Sequence, residues 1–260
     1  MNPVGQLYDL LLSSTNTVAF TGAGVSTASG IRDFRGKNGI YRDTFRGYHV
    51  EELFGIDLFR SDPSLFYTWS RDFVYALDAF RPCTVHNLLA RLEALNLLHG
   101  IATQNIDRLH SLAGSKRVWE LHGSAQWHHC LDCGRAEPYD KVAPIVRAGQ
   151  VPRCPCGGVF KPDIVFYGEP LPEETFQSAL TACQQADLLL VLGSSLTVYP
   201  AAALPEEAYR CGARIVIVND SPTPLDARAL LRLPDLTATF VELATLVADS
   251  GQPTADSITL

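Results

Sequence analysis

The sequence predicts an α/β fold in which a doubly wound parallel sheet is covered by helices on both faces. Short apolar runs recur along the 260 residues, they lack an alternating polar face, and helical patterns separate them. Runs of this kind are typical of parallel strands that are buried on both sides. Two stretches without this alternation, residues 38–81 and 130–158, indicate insertions that lie against the main domain.

The apolar runs and the helical patterns follow each other in the order of βαβ units. We predict strands at residues 17–21, 98–103, 117–119, 188–192, 215–218 and 237–241. We predict helices at residues 3–12, 84–96, 173–185, 200–211 and 240–250. The stretch 38–81 carries many aromatic residues, so we expect a helical insertion with a small core of its own.

Composition and charge exclude several classes of protein. With 47% hydrophobic residues and a formal charge of −7, the chain can fill a core but has no basic excess for strong duplex nucleic-acid binding. Apolar runs such as 188–192 are far shorter than the roughly 18 residues that cross a bilayer. The first residues lack the basic start of a signal peptide, and seven cysteines do not form a disulfide framework. We therefore expect a cytoplasmic protein with no membrane partner.

A glycine-rich turn follows the first predicted strand. Gly22, Ala23 and Gly24 would let backbone N–H groups approach a pyrophosphate at the N-terminus of the next helix. The turn does not complete the Gly-x-Gly-x-x-Gly fingerprint, and glycine there could also serve a purely steric purpose. Residues 29–36 add a carboxylate, an aromatic ring and two arginines, a mixture that is costly to bury without a ligand.

Polar residues follow four other predicted strands, at the edge where open α/β sheets bind ligands. The segment 103–107 supplies amide and acid side chains that suit a ribose or a carboxamide, although Asn and Asp are also ordinary helix caps. His122 follows the strand at 117–119, and histidine is the usual general base for a hydroxyl. Small residues with ligand-compatible polar groups follow the strands at 188–192 and 215–218, namely Gly193, Ser194, Ser195 and Asn219.

Four cysteines form two close pairs, Cys130 with Cys133 and Cys154 with Cys156. Four thiolates at this spacing can close a tetrahedral zinc site with no open position, which is typical of a structural ion. The second pair is one residue shorter than the usual Cys-x-x-Cys, and we expect the two following glycines to provide the tighter turn. Free buried cysteines are the alternative, and the adjacent histidines 128 and 129 could replace a thiolate.

The sequence resembles the sirtuins, a family of NAD-dependent protein lysine deacylases. The resemblance rests on five motifs in this order: the glycine turn, Thr-Gln-Asn-Ile-Asp, Leu-His-Gly, the paired cysteines and Gly-Ser-Ser-Leu. The resemblance covers residues 18–247. It implies a Rossmann-type doubly wound parallel sheet with a small zinc-ribbon and helical module. Residues 1–36, 82–122 and 162–260 would form the NAD-binding domain, and the insertions 37–81 and 123–161 would form the small domain. The active site would lie in the cleft between them.

The resemblance also implies a role for each motif. The residues that would hold NAD are Gly22, Ala23, Gly24, Ile31, Phe34, Arg35, Gln104, Asn105, Asp107, Gly193, Ser194, Ser195 and Asn219. Asn105 and His122 would be catalytic, with His122 as the general base. The wall of the lysine tunnel, which would also pair with the substrate peptide as an added strand, would be Val165, Phe166 and Tyr167.

The implied reaction removes acetyl groups from lysines of proteins or peptides and releases nicotinamide and O-acetyl-ADP-ribose, while zinc only maintains the shape of the small domain. The alternatives are mono-ADP-ribosyl transfer or removal of other acyl groups at the same site, and, from other classes, a zinc-dependent binding module without turnover or a dehydrogenase. The incomplete glycine fingerprint and the paired cysteines argue against a dehydrogenase.

Three further departures from the family pattern bear on substrates. Ser194 stands where many relatives have threonine, and residues 233–236 replace a loop near the adenine that usually contains glycine. Members that prefer succinyl-type groups carry Tyr-x-x-Arg, whereas here Tyr67 is followed by Ser70, with Arg71 one place later. One residue on a helix rotates a side chain by about 100°, so this offset favours acetyl or other neutral acyl groups.

Overall fold

The computed structural model describes residues 2–249. In that range the strands are β1 Thr17–Thr21, β2 Thr44–Phe45, β3 Tyr48–His49, β4 Gly100–Thr103, β5 Val118–Glu120, β6 Gly123–Cys130, β7 Ala136–Pro138, β8 Phe160–Ile164, β9 Leu188–Leu192, β10 Arg214–Val218 and β11 Leu231–Leu233. The helices are α1 Pro3–Ser13, α2 Gly24–Thr27, α3 Ile56–Ser61, α4 Pro63–Ser70, α5 Thr84–Ala94, α6 Leu109–Leu112, α7 Tyr139–Arg147, α8 Glu173–Gln185, α9 Ala203–Arg210 and α10 Leu236–Asp249.

A six-stranded sheet in the order β11-β10-β9-β1-β4-β5 forms the centre of the fold, and every neighbouring pair in it is parallel. One face packs on α1, α5 and α10, and the other face packs on α8 and α9. All five residues of β9 are buried, as expected for a strand that is covered on both sides. The predicted doubly wound α/β fold is therefore confirmed.

The prediction of a strand at residues 237–241 is wrong. These residues belong to α10, whose buried Phe240, Leu243 and Val247 recur at helical spacing. The Asp235 carboxylate accepts the Ala238 N–H at 2.8 Å and so satisfies a backbone donor at the start of this helix. The sixth strand is the short β11, which ends at residue 233, just before a proline.

The two insertions share one hydrophobic core. It joins residues of α3, α4 and the following 3₁₀ turn to residues of α7, β6 and β8. The strands β7-β6-β8 form a separate antiparallel sheet. Two polar contacts join the two insertions. The Tyr67 hydroxyl donates to the Phe160 carbonyl, and the Tyr75 hydroxyl lies 2.7 Å from His128 Nε2. Among the residues described, no helix is both long and apolar enough to span a membrane.

Candidate active site

Two turns meet at the carboxyl ends of β1 and β9. Gly22 N–H donates to the Leu192 carbonyl at 3.0 Å, and Gly24 N–H donates to the Gly193 carbonyl at 2.9 Å. A Cβ atom on Gly22 would lie 2.6 Å from the Gly193 oxygen, and one on Gly24 would lie 2.8 Å from Gly193 Cα. Glycine is therefore required at both positions for the turns to pack this closely.

Three adjoining cavities lie along this edge of the sheet, and all three are lined by Ala23 and Phe34. The inner cavity, of about 210 Å³, is also lined by Arg35, Gln104, Asn105, His122, Val165, Phe166 and Tyr167. The outer cavity, of about 500 Å³, is also lined by Gly22, Gly24, Arg35, Gly193, Ser194, Ser195 and Asn219. The small floor pocket is also lined by Ile31, Asn105 and Asp107. The structure thus brings every predicted site residue outside the cysteine set to one continuous cleft.

His122 is partly buried and faces the inner cavity. Its Nδ1 lies 3.0 Å from the Gln104 carbonyl oxygen. Because a carbonyl can only accept, Nδ1 carries the proton and Nε2 keeps its lone pair. Burial lowers the pKa of His122, and the positive charge of Arg35 lowers it further, so the ring is neutral near pH 7. This tautomer can accept a proton through Nε2.

Asn105 and Asp107 are held by one serine hydroxyl. The Asn105 amide donates to the Gly22 carbonyl at 3.1 Å and to Ser26 Oγ at 3.2 Å. Ser26 Oγ in turn donates to the Asp107 carboxylate at 2.6 Å, and Leu109 N–H donates to its other oxygen at 2.8 Å. Burial raises the pKa of Asp107. Ser26 belongs to the glycine-turn motif, but sequence reasoning gave it no role, since only its partners across the sheet reveal one.

The outer cavity joins residues from three strand ends. Ser194 Oγ donates to the Gln104 side-chain oxygen at 2.9 Å, which links the ends of β9 and β4 across the cleft. The Asn219 amide donates to the Ser221 carbonyl at 2.8 Å and so stiffens the turn after β10. Pro234 and Asp235, in the loop that departs from the family pattern, also line this cavity.

Arg35 connects the loop after α2 to the opposite wall of the inner cavity. Its Nη2 donates to Glu51 Oε1 and to the Tyr167 hydroxyl, both at 2.6 Å. The guanidinium also lies 5.0 Å from the centroid of the Tyr41 ring. These contacts hold the segment containing Phe34 and Arg35 against the inserted module.

The segment 165–167 lines the inner cavity, but its backbone N–H groups are already used. Val165 N–H donates to the His122 carbonyl at 2.9 Å, and Tyr167 N–H donates to the Phe54 carbonyl at 2.7 Å. Phe166 N–H donates to the Glu169 carboxylate at 2.8 Å. A peptide added as a strand cannot pair with these three donors unless the existing bonds break.

The four predicted cysteines form one cluster, with all four Sγ atoms within 4.8 Å of one another. Cys130 Sγ lies 3.5 Å from Cys156 Sγ, and Cys133 Sγ lies 3.6 Å from Cys154 Sγ. Tetrahedral zinc with Zn–S bonds of about 2.3 Å needs S–S separations of about 3.8 Å, so the donor set fits a structural zinc ion.

Glycine makes the short second cysteine pair workable. Gly157 has a φ of +98°, which closes the turn from Cys154, and a Cβ on Gly158 would lie 2.6 Å from Cys130 Sγ. The histidines considered as replacement ligands have other partners: the His128 ring bonds to the Tyr75 hydroxyl, and His129 Nδ1 lies 2.6 Å from the Asp163 carboxylate.

The helical insertion does not place a tyrosine and an arginine in the cleft where they could bind an acidic acyl group. Tyr67 is buried and directs its hydroxyl to a carbonyl of β8. Arg71 lies at the surface, where it pairs with Asp72 at 2.9 Å. This placement agrees with the expectation that the offset arginine points away from the substrate.

The fold and the cleft define a class of α/β protein that binds its ligand beyond the carboxyl ends of parallel strands and carries a four-cysteine module beside that cleft. Within this class the chain belongs to the Sir2 family, whose model matches residues 22–200. The sequence is 42% identical to an NAD-dependent protein deacetylase of Thermotoga maritima, over 95% of this chain and 97% of that relative. It is 45% identical to one of Sulfurisphaera tokodaii, over 84% and 85%.

Solved structures of the family are also similar to this chain, in both sequence and fold. A Sir2 variant with a deacetylated p53 peptide and 3′-O-acetyl-ADP-ribose superposes with a TM-score of 0.87 at 41% identity, covering 95% of this chain and 98% of that chain. A Sir2 protein with a p53 peptide and NAD⁺ superposes with a TM-score of 0.85 at 39% identity, with the same coverage. The similarity therefore extends over the cleft and the cysteine module together.

Proposed function

We propose that this chain is an NAD-dependent protein deacetylase, which removes acetyl groups from lysine side chains and releases nicotinamide and O-acetyl-ADP-ribose. The observation that carries the proposal is the His122 ring, held as the Nδ1–H tautomer with its Nε2 lone pair in the cavity that Asn105 also lines. The names of the relatives at 41–45% identity support the same activity.

The cleft offers a separate place for each part of the dinucleotide. Gly22, Ala23 and Gly24 let the backbone approach the diphosphate, and Gly193, Ser194, Ser195 and Asn219 hold the adenosine half. Gln104 holds the nicotinamide ribose and is itself positioned by Ser194. Asn105, Asp107 and Ile31 form the nicotinamide pocket, in which the shared Ser26 hydroxyl fixes the two polar side chains. Phe34 and Arg35 close the cleft between the inner and outer cavities.

NAD supplies a ribose whose bond to a cationic nicotinamide is easily broken, and the protein has to bring the acyl oxygen to that sugar. Val165, Phe166 and Tyr167 wall the cavity that orients the acyl-lysine. Positioning of this kind contributes on the order of 7–11 kcal/mol to rate acceleration. The N–H groups of this wall are occupied, so an added peptide strand would pair with its carbonyl groups or replace existing bonds.

His122 then accepts a proton from a ribose hydroxyl at Nε2, which increases the nucleophilicity of that oxygen toward the acyl carbon. The hydrogen bond from Nδ1 to the Gln104 carbonyl keeps the ring in the required tautomer and orientation. Capture of the sugar by another nucleophile, as in ADP-ribosyl transfer, does not need this base. The geometry of His122 therefore favours deacylation.

Acetyl or another neutral acyl group is favoured over an acidic one. Arg71 pairs with Asp72 at the surface, and the arginine that does line the inner cavity, Arg35, is paired with Glu51. A free cation that would recognise an acidic acyl chain is thus missing from the described lining of the inner cavity.

The remaining parts of the proposal concern the small domain and the compartment. Cys130, Cys133, Cys154 and Cys156 would hold one structural zinc ion, and the insertions 37–81 and 123–161 would form one small domain on their shared core. We place the protein in the cytoplasm, because the seven cysteines, all within residues 2–249, are free of disulfides.

Incubation with NAD and acetyl-, succinyl- and long-chain acyl-lysine peptides tests the proposal when nicotinamide release and peptide mass are followed together. We expect one nicotinamide per acetyl group lost, with the acetyl peptide turned over fastest. Nicotinamide release with a peptide that gains the mass of ADP-ribose would instead establish ADP-ribosyl transfer to the peptide. Peptide deacetylation without NAD would contradict both.

A further inference from the structure

A row of buried polar side chains adjoins the cleft, and none of them lines its three cavities. It runs from His86 on α5 through His110 on α6 to Thr21 and Thr103, the last residues of β1 and β4. Their exposed fractions are 0%, 2%, 0% and 2%. The reaction described above does not use these groups, yet Thr21 directly precedes the glycine turn and Thr103 contacts Asn105.

The end nearest the cleft has a defined direction. Asn105 N–H donates to Thr103 Oγ1 at 3.1 Å, and the Thr21 hydroxyl donates to the same oxygen at 2.8 Å. Thr21 Oγ1 has then given up its proton and must accept from His110 Nε2, which lies 3.0 Å away. His110 is therefore protonated at Nε2 and has its lone pair at Nδ1.

The far end is defined independently. The backbone N–H of Cys83 donates to His86 Nδ1 at 3.2 Å, and the Cys83 thiol lies 3.1 Å from the same nitrogen. His86 therefore has its lone pair at Nδ1 and its proton at Nε2. Burial lowers the pKa of His86 to about 4 and that of His110 to about 3, so both rings are neutral at pH 7.

Each ring keeps one nitrogen without a partner, and the two nitrogens are complementary. His86 Nε2, a donor, and His110 Nδ1, an acceptor, are both buried and have no hydrogen-bond partner among residues 2–249. The two ring centroids are only 4.7 Å apart. Leaving a donor and an acceptor buried without partners is costly, and a water molecule that bonds to both satisfies them at once.

We propose that one buried water joins His86 to His110, and that the two histidines are positioning residues that hold Asn105 and the glycine turn through Thr103 and Thr21. This inference rests on the proposed function, since Asn105 belongs to the nicotinamide pocket. Neither histidine touches NAD or the acyl-lysine. Their effect on the reaction is the placement of the groups that do.

Two substitutions at His86 separate this role from a structural one. His86→Asn keeps an acceptor at the position of Nδ1 for Cys83 N–H but removes the Nε2 donor, whereas His86→Gln keeps a donor near Nε2 but removes that acceptor. We expect His86→Asn to melt somewhat earlier than the wild type, because the bridging water loses its donor, and to lose about fivefold to tenfold in kcat/KM for NAD, the effect of one hydrogen bond. We expect His86→Gln to melt earlier but to keep kcat/KM within about twofold.

The opposite pattern, with the Asn variant fully active and the Gln variant impaired, would show that His86 only caps α5 and would overturn the proposal. Ring ¹⁵N chemical shifts of the wild type with labelled histidine give a readout without turnover. We expect His86 protonated at Nε2 and His110 at Nε2, and a lone proton on Nδ1 of either ring would overturn it. A high-resolution crystal structure should show the bridging water, and a dry gap between the rings would also overturn it.

These measurements are distinguishable from a failure of the proposed function. If the wild type consumes NAD without deacetylating any peptide, the proposed function fails. The calorimetric NAD affinity of the two His86 variants and the ring chemical shifts still test the positioning role of the two histidines. If the wild type deacetylates normally but the ring ¹⁵N shifts show other protonation sites, only the positioning role of the two histidines fails.

Discussion

The sheet and the inserted module are stabilised in different ways. The sheet buries aliphatic side chains on both faces, and its strands alternate contacts with two layers of helix. The core of the module is mainly aromatic, with edge-to-face contacts in which Phe54 packs against Phe34, Phe66, Trp69 and Phe166. Its backbone combines 3₁₀ turns, short helices and the three-stranded sheet β7-β6-β8. The central sheet is therefore stabilised by aliphatic packing on both faces, whereas the module is stabilised largely by aromatic contacts.

This difference affects how the side chains that line the cleft are positioned. Asn105, Ser194 and Asn219 follow directly after strands whose backbone is fixed by parallel pairing, so polar atoms are placed with little freedom. His122 lies at the boundary, two residues after β5 and just before β6 of the module. Residues 165–167 follow β8 and line the inner cavity, with each N–H already hydrogen-bonded.

Loss of His122 should give the largest effect on the sheet side. We expect His122→Ala to lower kcat by about 10²–10⁴-fold, the usual contribution of a general base. NAD affinity and the thermal transition should change little, because the ring makes one hydrogen bond inside the chain. The measurements are steady-state kinetics and calorimetry on the same preparation.

The pH profile of the wild type provides the control for this variant. Since burial lowers the pKa of His122, the fall in rate on the acid side should lie below pH 6.5. A variant that turns over at the wild-type rate would remove His122 from the role of base.

Loss of the metal should give the second-largest loss of activity, and it should act through the inserted module. Chelation of zinc, or Cys154→Ala, should lower activity more than tenfold while NAD still binds, because folding of the small module is coupled to its ligands. Cys211→Ala is the matched control, since this exposed thiol lies outside the cluster. Thermal melting and limited proteolysis would show the module opening first. A chelated protein with an unchanged melting curve and rate would contradict the assignment.

Acid should weaken the sheet side through the two histidines that adjoin the cleft. The pKa of His86 is about 4 and that of His110 about 3 in the folded chain, against about 6.5 when unfolded. Between these values the unfolded chain binds more protons, so the free energy of unfolding falls as pH decreases from 6.5. The expected loss from pH 7 to pH 5 is about 2 kcal/mol per histidine.

Urea unfolding at the two pH values measures this loss, and it should be smaller in His86→Gln, where one titrating group is gone. An equal loss in the variant and the wild type would exclude His86 as a source.

The smallest effect is expected at Arg71. Since its guanidinium pairs with Asp72 and is 45% exposed, Arg71→Ala should leave the ratio of acetyl to succinyl turnover unchanged within about twofold. Competition between the two peptides gives the ratio directly. A selective loss of succinyl turnover would bring this arginine into the cleft and would revise the substrate assignment.

Much of the fold was predictable because its signals are local. Continuous apolar runs with glycine or polar residues at their ends located β1 and β9 to the residue, and the cysteine spacing located the metal site. The strand predicted at 237–241 failed because β-branched residues there also suit a helix once Asp235 caps it. Periodicity over five residues cannot separate the two.

The sequence by itself determined the class of fold, the edge of the sheet that binds the ligand and the residue types at that edge, since each follows from short-range patterns. Only the tertiary structure decided that Ser26 joins Asn105 to Asp107, that the N–H groups of residues 165–167 are occupied, and that two histidines meet beside the cleft. Those contacts join residues up to about 110 positions apart, and no local preference encodes which distant partner a polar side chain will meet.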